Sequence, residues 1–199
     1  MPLIVVGGHS RNVGKTSVTT GLIHAFKEYE WTAVKISSHQ HQNIPLQHGK
    51  KSHAFNLFQE TNRDGSSDTS RFLVAGASRS FWIQIHGDFL EEAARQLLPI
   101  LHSSPFVIVE SNRILRLLQP DLCIMVLRYD IEEFKESARE ALRQANAVVA
   151  VNRDSSPPPW RRISGILSGI PQFITADPQI IPVELINFVR PRLDQGRKQ

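Results

Sequence analysis

Leu3-Ile4-Val5-Val6-Gly7-Gly8-His9-Ser10-Arg11-Asn12-Val13-Gly14-Lys15-Thr16-Ser17 is the stretch that decides how the chain is read. Four apolar residues bounded by glycine form the pattern of a short strand buried in a parallel sheet. A polar, glycine-containing loop follows. From Lys15 to about Glu30 the apolar residues Val18, Leu22, Ile23, Ala25 and Phe26 recur at helical spacing. In such a strand–loop–helix the N–H groups of the loop and of the helix N-terminus converge on one concavity, which suits phosphate oxygens. Gly14 permits close backbone approach, Lys15 reaches the terminal phosphates, and the Thr16 hydroxyl is placed to bind Mg²⁺. The expected nucleotide-binding set is Gly8, Ser10, Asn12, Val13, Gly14, Lys15, Thr16 and Ser17. Gly14-Lys15-Thr16-Ser17 is the ending of a Walker A loop, although five residues rather than four separate Gly8 from Gly14.

Working outward, strands are expected at Trp31–Ile36, Phe81–Ile85, Phe106–Glu110, Leu122–Leu127, Ala147–Val151 and Gln172–Thr175. Helices are expected at Asp68–Ala75, stopped by Gly76, from an Asp88 cap to Pro99, at Ile131–Gln144 and at Val183–Val189. A short helix is placed around Lys51–Gln59, inside the irregular polar stretch Ser37–Ser67. Strands that alternate with helices predict an α/β chain, a three-layer P-loop NTPase fold with a mostly parallel sheet. With 199 residues, one nucleotide-binding domain over 1–199 is expected.

Composition narrows the classes. A single cysteine, Cys123, leaves no intramolecular disulfide and no cysteine-rich metal site. No run approaches ~18 apolar residues, so no membrane partner is expected. No secretory leader is read at the N-terminus, and a cytoplasmic setting is the default. The net charge of +4 is small, acids are interspersed among the arginines, and no aromatic-interleaved basic motif occurs, so nucleic acid is not an expected partner. Arg113, Arg116, Arg128, Arg153, Arg161 and Arg162 read as solvated surface, and Ile131–Gln144 as a salt-laced helix face.

Two further positions belong with the loop. Phe106-Val107-Ile108-Val109-Glu110 has the form of a Walker B strand, so Glu110 joins Thr16 as the expected Mg²⁺ pair. Asp68 is a candidate second acid near the γ-phosphate and equally a helix cap, with Asp64 a weaker candidate. Lys15 and Asp68 are thus the expected catalytic residues. Asn152, at the end of a late strand with Arg153 and Asp154, is a candidate to read a purine edge through its amide, or else a turn cap. His39, His41, His48 and His53 crowd one stretch but lack compact ligand spacing and read as a solvated loop.

The order of segments carries a resemblance. The phosphate loop is followed by Thr32-Ala33-Val34-Lys35-Ile36-Ser37-Ser38-His39, by Asp68-Thr69-Ser70-Arg71…Ala75-Gly76-Ala77, and by Val107-Ile108-Val109-Glu110. This resembles the MobB family, the adaptors of molybdopterin-guanine dinucleotide biosynthesis, over roughly residues 3–128. The wider class includes dethiobiotin synthetase and cobyrinic acid amidoligases, which the longer gap before Gly14 is more similar to. Ser111-Asn112 stands where the adaptors have glycine after the acid, and the first histidine after Lys35 is displaced to His39. The resemblance implies Mg²⁺ and GTP binding with slow hydrolysis, a molybdenum cofactor assembly partner protein and a homodimer, with Asp68 and Arg71 on the family's middle-helix motif. ATP-dependent ligation or phosphorylation of a small molecule is the alternative, and a non-catalytic, nucleotide-gated binding module is a third.

Overall fold

The computed structural model describes residues 1–38, 49–152 and 157–196. His39, His41, His48, Arg153 and Asp154 lie outside the described residues. The chain runs β1 (Leu3–Gly8), α1 (Lys15–Ala25), β2 (Trp31–Ser37), β3 (Gly49–Lys51), β4 (Phe55–Glu60), α2 (Asp68–Ala75), β5 (Arg79–Ile85), α3 (Leu90–His102) and β6 (Phe106–Glu110). It continues with β7 (Leu122–Arg128), α4 (Glu136–Leu142), β8 (Ala147–Val151), α5 (Ser164–Leu167), β9 (Gln172–Thr175) and α6 (Val183–Gly196). Single 3-10 turns sit at Arg113–Arg116 and Arg161–Ile163.

Among the described residues the strands form one sheet in the order β3-β4-β5-β2-β6-β1-β7-β8-β9. All pairings are parallel except β3 with β4 and β4 with β5. Successive side chains of a strand point to opposite faces. In β1, Ile4 and Val6 enter one core with Leu22 and Ile23 of α1, Phe72 of α2 and Val189 of α6. Val5 enters the other, with Leu97 and Leu101 of α3, Leu142 of α4 and Leu167 of α5. Three layers follow from that alternation: helices, sheet, helices.

Four expectations are corrected. The helix around Lys51–Gln59 is instead strand: β4 pairs antiparallel with β5, and Phe55 and Phe58 are buried against the sheet. Asp88 does not cap α3, whose first residue is Leu90 and whose N-terminus has no side-chain cap bond. Pro99 does not end α3, because burial of Leu97 and Leu101 carries the helix on to His102. The helix over Ile131–Gln144 shrinks to Glu136–Leu142, because the backbone before it is bonded to the loop between β1 and α1.

Register then positions the site. Glu110, the last residue of β6, stands opposite Val6 of β1 on one side and Lys35 of β2 on the other. From β1 the chain moves outward to β2, returns to fill the gap with β6, and crosses to β7 on the far side of β1. That reversal opens a crevice beyond the carboxyl ends of the central strands, where open α/β sheets bind ligands.

Candidate functional site

The loop after β1 begins with Gly8, whose N–H and carbonyl are both taken by the Asn112 amide at 2.8 Å. A side chain at Gly8 would collide with Val13 at 2.7 Å and Lys15 at 2.8 Å, so the chain folds back on itself there only without one. Asn12, at φ 56°, and Gly14, at φ 99°, turn the loop into α1. That helix starts with no side-chain cap and no acid in its first turn, so its first N–H groups face the crevice uncompensated.

Lys15 reaches across the loop and donates to the Ser10 carbonyl at 2.8 Å. Burial pushes its ammonium below the usual lysine range, against the pull of Glu110. Thr16 Oγ1 donates to Glu110 Oε2 at 2.8 Å. Glu110 is 4% exposed, and its other oxygen accepts from Lys35 Nζ at 3.2 Å. Lys35 also pairs with Asp68. Burial alone would lower the Lys35 ammonium, but the Glu110 and Asp68 carboxylates outweigh it and hold it above its ordinary value. Burial would likewise raise the Asp68 carboxyl, but Lys35 and then Arg71 hold it down. Arg71 lies 3.7 Å from Asp68 and donates to Ser17 Oγ at 3.4 Å.

These groups line a cleft of about 820 Å³. It gathers Gly8, Ser10, Asn12, Gly14, Lys15, Thr16, Ser17, Asp68 and Glu110, all expected from sequence. Val13 is placed otherwise: its side chain is buried in the core beneath the loop. Asn152 sits at the end of β8, its N–H bonded to the Thr175 carbonyl at 2.9 Å, and does not line the cleft. Asp64 stands apart in an exposed turn, its carboxyl held at about 2 by bonds from Ser66. His53 packs on Phe89, and among the described residues no group of three or more His, Cys, Asp or Glu is placed to hold a metal ion.

Three further residues, Lys35, Asn112 and His9, join the site through partners distant in sequence. Lys35 appeared only within the resemblance, yet it stands between the two acids. Asn112 splints the loop start. His9 is fully buried, stacked on Phe134 at 5.3 Å and tilted against Trp160 at 4.6 Å. Its Nε2 accepts the Arg128 N–H at 3.1 Å, so Nδ1 carries the proton and donates to the Glu133 carbonyl at 2.7 Å. Burial holds this imidazole below its usual pKa, and it is neutral. Ser10 bonds the Glu133 carboxylate, and the Lys135 N–H donates to the His9 carbonyl at 3.0 Å. The signal for Lys35 was a lysine near the end of a buried strand, facing the crevice.

A two-oxygen donor pair, a threonine hydroxyl 2.8 Å from a carboxylate, suits Mg²⁺. That ion is usually held by one or two carboxylates together with phosphate and water oxygens, so no larger ligand cluster is needed.

No protein-family model matches the chain, and no curated protein matches it. Solved structures do. The "apo" form of LpxK from Aquifex aeolicus, in complex with ATP, aligns over 87% of this chain at 19% identity and a TM-score of 0.52. The chain spans about half (53%) of that protein's length. HypB from Helicobacter pylori, in complex with nickel, aligns over 98% of this chain and 87% of its own at 17% identity and a TM-score of 0.50. MobB from Bacillus subtilis aligns over 96% of this chain and 98% of its own, at 14% identity and a TM-score of 0.45, which singles out no family. Likeness at such identities speaks to architecture. The chain has an α/β fold of the three-layer P-loop NTPase type.

Proposed function

We propose that this chain binds a magnesium nucleoside triphosphate, GTP in the reading the Asp68–Ala77 resemblance favours, and hydrolyses it slowly as an adaptor in molybdenum cofactor assembly. The observation that carries nucleotide binding is the trio Lys15, Thr16 and Glu110, poised over an uncapped helix N-terminus in one cleft. Thr16 and Glu110 would hold the Mg²⁺, which supplies neutralisation of phosphate charge. Lys15 exchanges the Ser10 carbonyl for phosphate oxygens, and the α1 amides hold the phosphate in place. Water is the nucleophile. Asp68 and Glu110 are the two carboxylates lining the cleft among the described residues, and Lys35 pairs with both. Neither is a free base, which accounts for slow turnover.

A second reading, phosphoryl transfer from ATP to a small acceptor, has its own observation. The cleft continues past Glu110 to Ser37, Ser38 and Arg113, which leaves room for an acceptor beyond the phosphates. Calorimetric titration with GTP and ATP separates the two. GTP binding well above ATP is expected, and tight ATP binding without GTP binding replaces the adaptor reading with the acceptor one. Lys15→Ala should weaken the preferred nucleotide roughly 10- to 100-fold by loss of charge-assisted bonds. Unchanged affinity refutes the phosphate-loop assignment.

A further inference from the structure

A second cavity, of about 340 Å³, lies between Phe134, Arg139, Trp160, Arg161, Arg162 and Ile163. It is outside the nucleotide cleft and shares none of its lining. That volume is at the small end of ligand pockets, room for one ring and an anionic group.

The site is built by local structure. Trp160 donates its indole N–H to the Glu132 carbonyl at 2.8 Å, which fixes the ring. Phe134 meets it edge-on, with centroids 5.1 Å apart. The 3-10 turn Arg161–Ile163 then presents two consecutive arginines beside this aromatic corner, and Arg139 of α4 faces them. Arg139 is 3.2 Å from Glu136, an acid outside the lining. Among the described residues no acid lines the cavity, and Arg161 and Arg162 make no ion pair. The described lining holds three guanidiniums and no carboxylate, which suits an anion with several acceptor oxygens such as a phosphate. Guanidinium forks suit phosphate bidentately, and an aromatic wall suits a planar ring.

We propose that this cavity binds a small aromatic phosphate ester. Arg161 and Arg162 hold the phosphate, Arg139 adds charge, and Trp160 with Phe134 packs the ring. Arg161 and Arg162, which composition alone assigns to solvated surface, gain a ligand from the cavity beside Trp160.

Phenyl phosphate is the probe, titrated into the full chain by calorimetry with tryptophan emission read in parallel. Binding should persist in Lys15→Ala, whose phosphate loop has lost its cation. It should weaken roughly tenfold or more in the Arg161→Ala/Arg162→Ala double variant, both positions being exposed and outside the nucleotide site. Inorganic phosphate should bind more weakly than phenyl phosphate. Undiminished binding in the double variant overturns the site, as does binding lost in Lys15→Ala and kept in the double variant. Equal affinity for inorganic phosphate overturns the ligand class. None of these results depends on which nucleotide fills the larger cleft.

Discussion

Replacing Lys35 by methionine removes the cation shared by Glu110 and Asp68 while keeping the length of the side chain. Losing one partner of a buried ion pair costs about 3–5 kcal/mol, because the other charge is stranded. The two acids here differ. Asp68 is 36% exposed and keeps Arg71 at 3.7 Å, so water and Arg71 take over from Lys35. Glu110, at 4% exposed, cannot be rehydrated and keeps the Thr16 hydroxyl at 2.8 Å. The penalty comes from one carboxylate, itself still hydrogen-bonded, so about 2–3 kcal/mol is expected. Urea unfolding measures it as a lower midpoint at unchanged slope. In the Lys35→Met/Glu110→Gln double variant the stranded charge is gone and most of the loss should be recovered. The pair also leaves a signature in pH. Asp68 is held below its ordinary 3.8, so its contribution is present above that value and disappears as pH falls through the depressed one. Lys35 is held above 10.5, so its contribution is present below that value and disappears as pH rises through the elevated one. In Lys35→Met the alkaline edge should vanish, and the acid edge should shrink to the part that Arg71 still supplies. A single variant within about 0.5 kcal/mol of wild type, or a double variant no better than the single, would refute the argument.

Two other outcomes are expected. His9 is neutral in the fold, with its pKa below 6.5, so an unfolded chain takes up a proton that the folded one refuses and stability falls as pH drops below 6.5. His9→Gln should lack that part of the slope in unfolding curves taken across the range; identical slopes would show that the ring titrates normally. Asn112→Ala leaves the Gly8 N–H and carbonyl without their 2.8 Å partners, which should cost about 1–3 kcal/mol in thermal unfolding and weaken nucleotide binding. Unchanged stability and affinity together would mean that Gly8 is held in place by other contacts.

The parallel core was legible because its strands are short apolar runs, and a strand covered on both faces needs nothing else. Phe106–Val109 and Ala147–Val151 are of this kind. Gly76, at φ 118°, ends α2 where its position after Ala75 suggested. The β3–β4 hairpin was not legible. Phe55-Asn56-Leu57-Phe58-Gln59-Glu60 has neither a continuous apolar run nor strict alternation. Its buried Glu60 accepts from the hydroxyls of Ser67 and Thr69, a pairing no local pattern announces. In the candidate site, the placement of the loop and of Glu110 could be read because a loop that follows β1 and an acid that closes β6 fall at the carboxyl ends of neighbouring parallel strands. Lys35 and Asn112 act through partners 75 and 104 residues away, and such pairings exist only once β2, β6 and β1 lie side by side. The length of α4 escaped for a related reason: the backbone at Glu133 and Lys135 bonds His9 rather than a helical turn.

The bare start of α1 bears on folding as well as binding. Most helices complete their first turn with a serine, threonine or aspartate of their own chain. This one begins at a left-handed glycine with no side-chain cap, and on the proposed reading the phosphates of a bound nucleotide would finish it. Fold and ligand would then share one free energy: each tenfold rise in free nucleotide above its dissociation constant would add about 1.4 kcal/mol to the stability of the fold. A chain built this way is firmest when its ligand is abundant and softens when the ligand is depleted.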